Sequence, residues 1–272
     1  MLQAPHLRER TIPGNLQSAV RDLQRRKARG RRRLALIEGI RLIEEALGAG
    51  LTFRGALVSP ELDRTTRGAA LRADLERRAV LIEDTPARTF AALAATETPQ
   101  GVLAIIEPRE WTVAEIPTER GRALLVLDGV QDPGNVGTLI RTAHALGSGG
   151  TIALRGTADV LNPKALRAAM GATFRHPVVA MDDAAFISWA RKTGVTLWAT
   201  AADGEPLPRA LAAGFEHVGP VAVIVGNEGA GIRPALNAIA AKRVAIPLAA
   251  GAESLNVAVA AGILLYEVQR GR

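Results

Sequence analysis

The sequence predicts an α/β protein with a larger C-terminal domain built on a parallel sheet and a smaller N-terminal α/β domain. Two observations support this fold class. Short apolar runs recur between turn residues, as is typical of buried strands. The segments between these runs place apolar residues at helical spacing, as is typical of helices that pack on a sheet. From residue 123 onward the alternation is regular and predicts a doubly wound sheet.

Composition shifts divide the chain into four parts. They are a basic N-terminal arm or helix (1–33), a smaller α/β domain (34–107), a linker (108–122) and a larger α/β domain (123–272). The linker contains Pro108, Pro117 and several charges, but no clear periodicity.

Each element of the smaller domain is predicted from its local pattern. Apolar residues over 36–46 predict a helix that ends near Gly48. The elements that follow are a strand over 55–58, a helix over 69–78, a strand over 80–82, a short helix over 90–95 and a strand over 101–106. This succession favours a mixed or mostly parallel sheet.

In the larger domain, six strands are predicted with helices between them. The strands fall near 123–127, 151–154, 177–180, 196–200, 221–225 and 244–246. The helices fall near 135–146, 163–170, 183–192, 232–241 and 255–269. The longest apolar run lies in the last helix and is too short to span a bilayer.

Three strand-to-loop junctions of the larger domain concentrate Gly, Asn, Glu and Ser. The first is DPGNVG at 132–137, followed by Arg141 on the next helix, and the second is VGNEG at 225–229. The third is IP at 246–247, followed by SLNV at 254–257. A strand, a glycine-rich turn and a helix start form a site suited to a nucleotide-like ligand. The G-x-G-x-x-G and Walker patterns are both absent.

Together, in this order and spacing, the three motifs resemble those of the SpoU (TrmH-like) RNA ribose methyltransferases of the SPOUT superfamily. The resemblance spans about residues 123–270. It implies a C-terminal SPOUT domain with a deep trefoil knot, whose loops hold S-adenosylmethionine in a bent shape. Knotted chains are rare, so periodicity alone gives no reason to expect one. The implied reaction is transfer of the methyl group to a ribose 2′-hydroxyl of structured RNA.

The resemblance also implies which residues form the site. The implied catalytic residues are Asn135, Arg141, Glu228, Ser254 and Asn256. The implied cofactor-binding residues are Gly226, Asn227, Gly229, Ile246, Leu248, Ser254 and Leu255. Asn and Ser also suit helix capping, and both roles can coexist. Glycines at 229, 231 and 251 are expected to permit close backbone approach.

Arg141 matches the family's catalytic arginine. Its guanidinium stays charged and is a poor general base. We therefore expect Arg141 to hold the target phosphate and to stabilise the forming alkoxide, with the group that accepts the proton left open.

The net charge of +7 is concentrated in residues 1–33, which hold ten of the 34 basic residues. The densest block, which we expect to bind RNA phosphates, consists of Arg25, Arg26, Lys27, Arg29, Arg31, Arg32 and Arg33. The alternative is a solvated tail. A second basic group contains Lys164, Arg167, Arg175 and His176, and it fits RNA contact or a solvated helix face equally well.

Short segments of the smaller domain resemble the substrate-binding domain of the same family, whose fold is similar to small RNA-binding ribosomal proteins. They are Glu38-Gly39, the segment 44–47 and the segment 98–102. The alternative is an appendage for dimerisation. The resemblance also implies a homodimer.

Composition excludes other classes. The chain has no Cys, which removes disulfides, thiolate metal sites and a thiol nucleophile. Its His residues lack metal-ligand spacing, and no apolar signal follows the N-terminus, so we expect a cytoplasmic protein without metal or membrane partner. The resemblance, together with the N-terminal domain and its basic arm, implies 2′-O-methylation of a guanosine in 23S rRNA. The alternatives are a tRNA ribose methyltransferase and a non-catalytic RNA-binding or ribosome-assembly protein.

Overall fold

The computed structural model describes residues 15–119, 122–212 and 220–270. The chain forms two compact units. The first runs up to Arg109 and also takes in Leu161–Pro163, and the second contains Glu110–Val160 and the chain from Lys164 onward. Each unit contains its own sheet. The α/β fold class is thereby confirmed.

The first unit is a four-stranded mixed sheet with strand order β1-β4-β2-β3. Its strands are β1 (Ala35–Glu38), β2 (Thr52–Val58), β3 (Ile82–Asp84) and β4 (Val102–Glu107). Its helices are α1 (Leu16–Leu23), α2 (Arg26–Arg32), α3 (Ile40–Gly48), α4 (Thr66–Arg77) and α5 (Ala87–Ala91). β4 pairs antiparallel with β1 and β2, whereas β3 pairs parallel with β2.

α1 belongs to the core of the first unit. Asn15 caps the helix, since its side chain accepts a hydrogen bond from the Ser18 amide at 2.9 Å. The apolar residues of α1 recur at helical spacing and pack with sheet residues such as Leu36 and Leu57. The buried residues of α1 are Leu16, Ala19, Val20 and Leu23. Residues 15–33 therefore do not form a separate arm, because α1 supplies part of this core.

The helix predicted over 36–46 begins later than expected. Residues 35–38 form β1, and all four are buried in the sheet. Gly39 has a φ of +99° and separates β1 from α3. A continuous apolar run fits either a buried strand or a helix, so periodicity could not locate this boundary.

The second unit is a six-stranded sheet with order β10-β8-β9-β5-β6-β7, and all its strand pairs are parallel. Its strands are β5 (Ala123–Asp128), β6 (Thr151–Leu154), β7 (Val178–Met181), β8 (Thr196–Pro206), β9 (Val221–Gly226) and β10 (Lys242–Ala245). Its helices are α6 (Pro133–Ala145), α7 (Pro163–Ala169), α8 (Asp183–Thr193), α9 (Leu207–Ala212), α10 (Pro234–Asn237) and α11 (Val257–Arg270).

Both faces of this sheet are covered by apolar residues. One cluster includes Leu125 and Val223 with residues of α6 and α11, and the other includes Leu124 and Ala222 with Phe186 of α8. Every residue of β5 and β9 is buried. Burial on both faces explains why these strands read as continuous apolar runs.

Two parts of the second unit differ from the sequence prediction. The helix predicted over 232–241 is reduced to the short α10. β8 continues to Pro206, and its pairing with β10 breaks after Ala199 and resumes at Glu205. The segment 200–204 thus bulges between two paired stretches.

Candidate functional site

The three motif loops follow the carboxyl ends of β5, β9 and β10. β5 and β9 are paired neighbours, with Asp128 opposite Gly226. Strands of a parallel sheet end at the same edge, so these loops share the edge where open α/β sheets bind ligands. We call this edge of the second unit the carboxyl edge.

Asp132 fixes the start of α6. Its Oδ1 accepts a hydrogen bond from the Asn135 amide at 2.9 Å, and Pro133 occupies the first helical turn. Its Oδ2 lies 2.6 Å from Lys164 Nζ. Hydrogen bonds from Lys164 and from the Asn135 amide lower the pKa of Asp132. Lys164, from the second basic group of the sequence, is therefore engaged in holding this turn.

Asn135, Glu228 and Asn256 form one hydrogen-bonded network, which we call the Asn135 network. The Asn135 amide donates to Glu228 Oε1 at 3.0 Å, and the Asn256 amide donates to Asn135 Oδ1 at 3.1 Å. Asn256 Oδ1 also accepts from the Ala258 amide at 2.9 Å and so caps the first turn of α11. Three implied catalytic residues, one from each motif, are thus brought together.

Glu228 is held as a carboxylate. Burial opposes its ionisation, but hydrogen bonds from the Asn135 side chain and from backbone amides, including that of Gln131, outweigh burial and lower the pKa of Glu228. Oε1 accepts from Asn135 and Oε2 accepts from the Gln131 amide at 3.3 Å. Both oxygens therefore orient neighbouring groups.

Asn227 shapes the loop after β9. Its side-chain amide donates to the Gly129 carbonyl at 3.0 Å, and its Oδ1 accepts from the amides of Gly229 and Ala230 at 2.9 and 2.8 Å. Its backbone exchanges two hydrogen bonds with Gly231. The loop is therefore tied to the loop after β5 and closed on itself.

Glycine is required at two places in this loop. A Cβ on Gly226 would lie 2.3 Å from the backbone of Gly231, so the close approach occurs at Gly226. Gly231 has a φ of +70°, which side-chain-bearing residues rarely adopt. Gly251 also has a positive φ, and a Cβ on Gly231 or Gly251 would meet nothing within 4 Å, so the close backbone approach expected at these glycines stays a prediction.

A cavity of about 260 Å³ opens beside these loops. Its lining includes six of the seven implied cofactor-binding residues, which are Gly226, Asn227, Ile246, Leu248, Ser254 and Leu255. Gly229 does not line the cavity; its amide serves the turn made by Asn227. Glu228 and Ser254, both implied catalytic residues, also line the cavity.

Sequence reasoning missed part of this lining. Thr200, Ala201 and Ala202 lie in the bulge of β8 and face the cavity. The one indication in the sequence is that these residues lie at or just after the carboxyl end of the strand predicted over 196–200. The bulge itself depends on the broken pairing with β10, which leaves no trace in hydrophobic periodicity.

The lining combines an apolar wall with two carboxylates. Ile232, Val244 and Ile246 contribute to the wall, and the carboxylates belong to Glu228 and Glu253. An apolar wall suits a flat aromatic ring, and nearby carboxylates favour a ligand that carries positive charge.

Arg141 stands apart from the Asn135 network. It follows Asn135 by six residues along α6, which is about 9 Å of helix rise. Its side chain is exposed and makes no hydrogen bond or ion pair within the described parts of the chain. It is therefore available to an anionic ligand.

The predicted RNA-binding block separates into different environments. Arg25, Arg26 and Lys27 are exposed, and their side chains have no partner among the residues that the structure describes. Arg31 and Arg32 pair with Asp22 at 3.3 and 2.7 Å.

The prediction that Arg29 binds RNA phosphates is wrong. It is only 2% exposed, and its guanidinium donates to the carbonyls of Leu23 and Gln24 at 2.8 Å each. Arg29 therefore joins α1 to α2 and cannot offer its charge to RNA. Arg33 ends α2 in the left-handed conformation, with a φ of +54°.

His176 is also unavailable for RNA. It is 2% exposed, and its Nε2 lies 2.9 Å from Thr151 Oγ1. Burial, with a smaller contribution from the nearby His144, lowers the pKa of His176 to about 4. The ring is therefore neutral in the folded protein at pH 7.

Residues 15–119, 122–212 and 220–270 contain neither a metal-binding cluster nor a membrane-spanning helix. No group of three His, Cys, Asp or Glu is placed to hold a metal ion. None of the helices there has the length and apolar character needed to cross a bilayer.

Comparison with known proteins finds similarity along nearly the whole chain. A family model described as the SpoU rRNA Methylase family matches residues 122–266, and the MRM3-like substrate binding domain matches residues 18–104. The Bacillus subtilis (strain 168) protein named 23S rRNA (guanosine(2553)-2′-O)-methyltransferase RlmP is 38% identical over 251 residues, covering 91% of this chain and 93% of that protein.

Solved structures share the fold. An AdoMet-bound rRNA methyltransferase from Sinorhizobium meliloti superposes with a TM-score of 0.80 at 32% identity, covering 96% of each chain. The SpoU methyltransferase AviRb from Streptomyces viridochromogenes, in complex with AdoMet, superposes with a TM-score of 0.80 at 29% identity, covering 94% of this chain and 98% of that one. The resemblance carried by the three motifs is confirmed, and the chain belongs to the SpoU rRNA methylase family.

Proposed function

We propose that this protein transfers a methyl group from S-adenosylmethionine to a ribose 2′-hydroxyl of 23S rRNA, at a guanosine. The observation that carries the proposal is the Asn135 network beside a cavity that gathers six implied cofactor-binding residues. The names of the similar B. subtilis and S. meliloti proteins support the reaction and the cofactor.

The residues of the cavity fit this cofactor, which supplies a methyl group on a positively charged sulfur. Apolar residues such as Ile246 and Leu255 would pack on the adenosine. The carboxylates of Glu228 and Glu253 would favour the positive charge. Gly226 lines the same cavity, and the close approach of the Gly231 backbone leaves no room there for a side chain.

Arg141 has two tasks in this proposal. Its guanidinium stays protonated, so it binds a phosphate of the RNA and stabilises negative charge that develops on the ribose oxygen. Methyl transfer is an in-line displacement, so the ribose hydroxyl must first be oriented toward the methyl group. Arg141 is exposed on α6 and is therefore accessible to RNA.

The Asn135 network supplies rigidity. Both oxygens of Glu228 already accept hydrogen bonds, and its pKa is lowered, so it is a weak base. Glu228 therefore orients Asn135, and Asn256 ties Asn135 to the start of α11. The ribose proton passes to phosphate, water or another neighbour.

RNA would be held largely through its backbone. The exposed residues Arg25, Arg26 and Lys27 form a basic surface on the first unit, and phosphate contacts of this kind position RNA without reading its sequence. The chain has few aromatic residues, which fits recognition of charge and shape better than base stacking.

The proposal includes a homodimer. α11 exposes Val259, Ile263 and Tyr266, which lie on one face of the helix and are 52%, 36% and 50% exposed. A second copy of the chain, packing the same face in an isologous contact, would cover this apolar stripe. The trefoil knot and the cytoplasmic location implied by the resemblance also belong to the proposal.

The test is label transfer from methyl-tritiated S-adenosylmethionine to unmodified 23S rRNA, 16S rRNA and bulk tRNA in parallel. We expect label in 23S rRNA alone, in an alkali-resistant dinucleotide that marks a blocked 2′-hydroxyl. Label in tRNA would keep the chemistry and overturn the substrate. If the protein neither transfers the methyl group nor binds the cofactor, the result would favour a non-catalytic RNA-binding protein.

A further inference from the structure

Arg233 lies between two carboxylates directly after the loop that follows β9. Its Nε donates to Asp128 Oδ1 at 2.6 Å, and its backbone amide donates to Asp128 Oδ2 at 2.8 Å. The far side of the guanidinium donates to both oxygens of Asp183, at 2.5 and 2.9 Å. None of the three motifs includes these residues as catalytic or cofactor-binding positions.

Asp128 makes this arrangement rigid. It is the last residue of β5, and its side chain is completely buried. A buried carboxylate is costly unless charge and hydrogen bonds compensate for lost water. Arg233 supplies both, through its side chain and its backbone amide. The start of α10 is therefore fixed to the end of β5.

Asp183 adds a third element. It begins α8, so Arg233 joins β5, α8 and the loop in one place. The planar guanidinium can engage two carboxylates at once, whereas an ammonium is a point charge that cannot reproduce this two-sided geometry.

The anchored loop is the one that lines the cavity. Gly231 and Ile232, which immediately precede Arg233, line the cavity together with Gly226. The backbones of Asn227 and Gly231 are hydrogen-bonded to each other, so a shift at one end of the loop also moves its other end. The loop is thus fixed at Gly226 by the pairing of β9 with β5, and at Arg233 by Asp128.

We propose that Arg233 is a positioning residue for S-adenosylmethionine, which holds the loop over 226–232 in its binding shape through Asp128 and Asp183. This inference rests on the proposed function. Arg233 itself does not line the cavity, so its effect reaches the cofactor through Gly231 and Ile232.

The experiment compares Arg233→Lys, Arg233→Met and Asp183→Asn with the wild-type full-length protein. Three quantities are measured: the Kd for S-adenosylmethionine by calorimetry, amide hydrogen exchange of the 226–232 loop, and Tm. We expect Arg233→Lys to raise the Kd roughly ten- to hundredfold and to speed exchange in the loop, since small displacements of a binding site have effects of this size. Asp183→Asn, which keeps the contact with Asp128, should raise the Kd less.

Arg233→Lys keeps a positive charge beside Asp128. It therefore keeps the inference testable even if Arg233→Met fails to fold. The matched control for stability is Phe186→Leu. Phe186 is fully buried on the same helix as Asp183 and belongs to the same apolar cluster as Ile232, but its side chain takes no part in the hydrogen bonds that hold Arg233. It should lower Tm without changing the Kd or the exchange of the loop.

A wild-type Kd in both Arg233 variants would overturn the inference while leaving the proposed function intact. So would an equal loss of affinity in Phe186→Leu at a similar loss of Tm. Failure of the wild-type protein to bind S-adenosylmethionine would refute the proposed function itself.

Discussion

Asn135 and Glu228 are hydrogen-bonded at 3.0 Å, although 93 residues separate them in the chain. The contact joins the first turn of α6 to the loop after β9. It fixes the Asn135 amide so that its oxygen faces the amide of Asn256 at 3.1 Å. One carboxylate therefore sets the orientation of residues from all three motifs.

Glu228→Gln should impair catalysis more than cofactor binding. A neutral amide can still contact Asn135, but its NH₂ group would face the Gln131 amide, which is also a donor. We expect kcat for methyl transfer to fall roughly tenfold or more, with a smaller change in the KM for S-adenosylmethionine. Glu267→Gln, on α11, is the control and should behave as wild type. Equal kcat in both variants would contradict a role for the network.

Arg141→Ala should abolish methyl transfer and spare the cofactor. Arg141 does not line the cavity, so the Kd for S-adenosylmethionine should remain at the wild-type value. We expect the rate with RNA to fall on the order of a hundredfold or more, as for removal of a group that stabilises developing negative charge. Arg191→Ala removes an exposed arginine near the end of α8 and is the control. Lost cofactor binding in Arg141→Ala would instead assign Arg141 to the cavity.

The strands and the motif loops could be predicted from the sequence because their signals are local. β6 was predicted with its observed bounds, since a short, fully buried strand between turns leaves a plain apolar run. The six cavity-lining residues that we propose bind the cofactor are predicted by their motif letters. That they lie together follows from the common carboxyl edge of a parallel sheet.

Features that depend on tertiary contacts escaped prediction. Arg29 looks like its neighbours in the sequence, yet the short connection between α1 and α2 leaves carbonyls of Leu23 and Gln24 that its guanidinium satisfies. Arg233 likewise carries no local signal, since its partners Asp128 and Asp183 lie 105 and 50 residues away. Charge alone could not distinguish these arginines from RNA-binding ones.

Exposed basic residues of the first unit should account for part of the salt dependence of RNA binding. Replacement of Arg25, Arg26 and Lys27 by Gln should weaken binding and reduce the slope of log K against log salt by roughly two to three, or about one for each phosphate that the variant no longer neutralises. The measurement is a filter-binding titration over several salt concentrations. These substitutions leave α1 in place, whereas deletion of residues 1–33 would also remove its core residues.

The matched control is the triple substitution of Arg67, Arg77 and Arg78 by Gln. These residues belong to the same unit and carry the same total charge, but they pair with Glu44 and Asp74. We expect a small change in the slope for this variant. An equal loss in both triple variants would show that net charge, and not the α1–α2 surface, governs RNA binding.

The apolar stripe on α11 should govern the oligomeric state. Ile263→Asp and Tyr266→Asp place charge where the proposed contact is apolar, so light scattering should report a dimer for wild type and a monomer for the variants. Leu81→Asp replaces another exposed apolar residue, 64% exposed and in the first unit, and should leave the dimer intact. A wild-type chain that is monomeric at micromolar concentration would reject the proposed dimer.

His176 should make the second unit sensitive to mild acid. Burial lowers the pKa of His176 to about 4, below its ordinary value of 6.5, so the unfolded chain binds a proton more readily than the folded one. The stability gained from a neutral His176 is therefore complete above pH 6.5 and is lost as the pH falls toward 4. Linkage puts the full loss at about 3 kcal/mol, of which roughly 2 kcal/mol falls between pH 6.5 and 5.

Urea unfolding of the wild type and of His176→Gln at intervals between pH 7 and 5 measures this effect. Gln can still contact the Thr151 hydroxyl but does not titrate, so its free energy of unfolding should fall less than that of the wild type over this range. His144→Gln is the control, because His144 is exposed and makes only the smaller contribution to the lowered pKa of His176. Parallel curves for the wild type and His176→Gln would mean that His176 binds its proton equally in the folded and unfolded chain, and that its burial has no effect on acid stability.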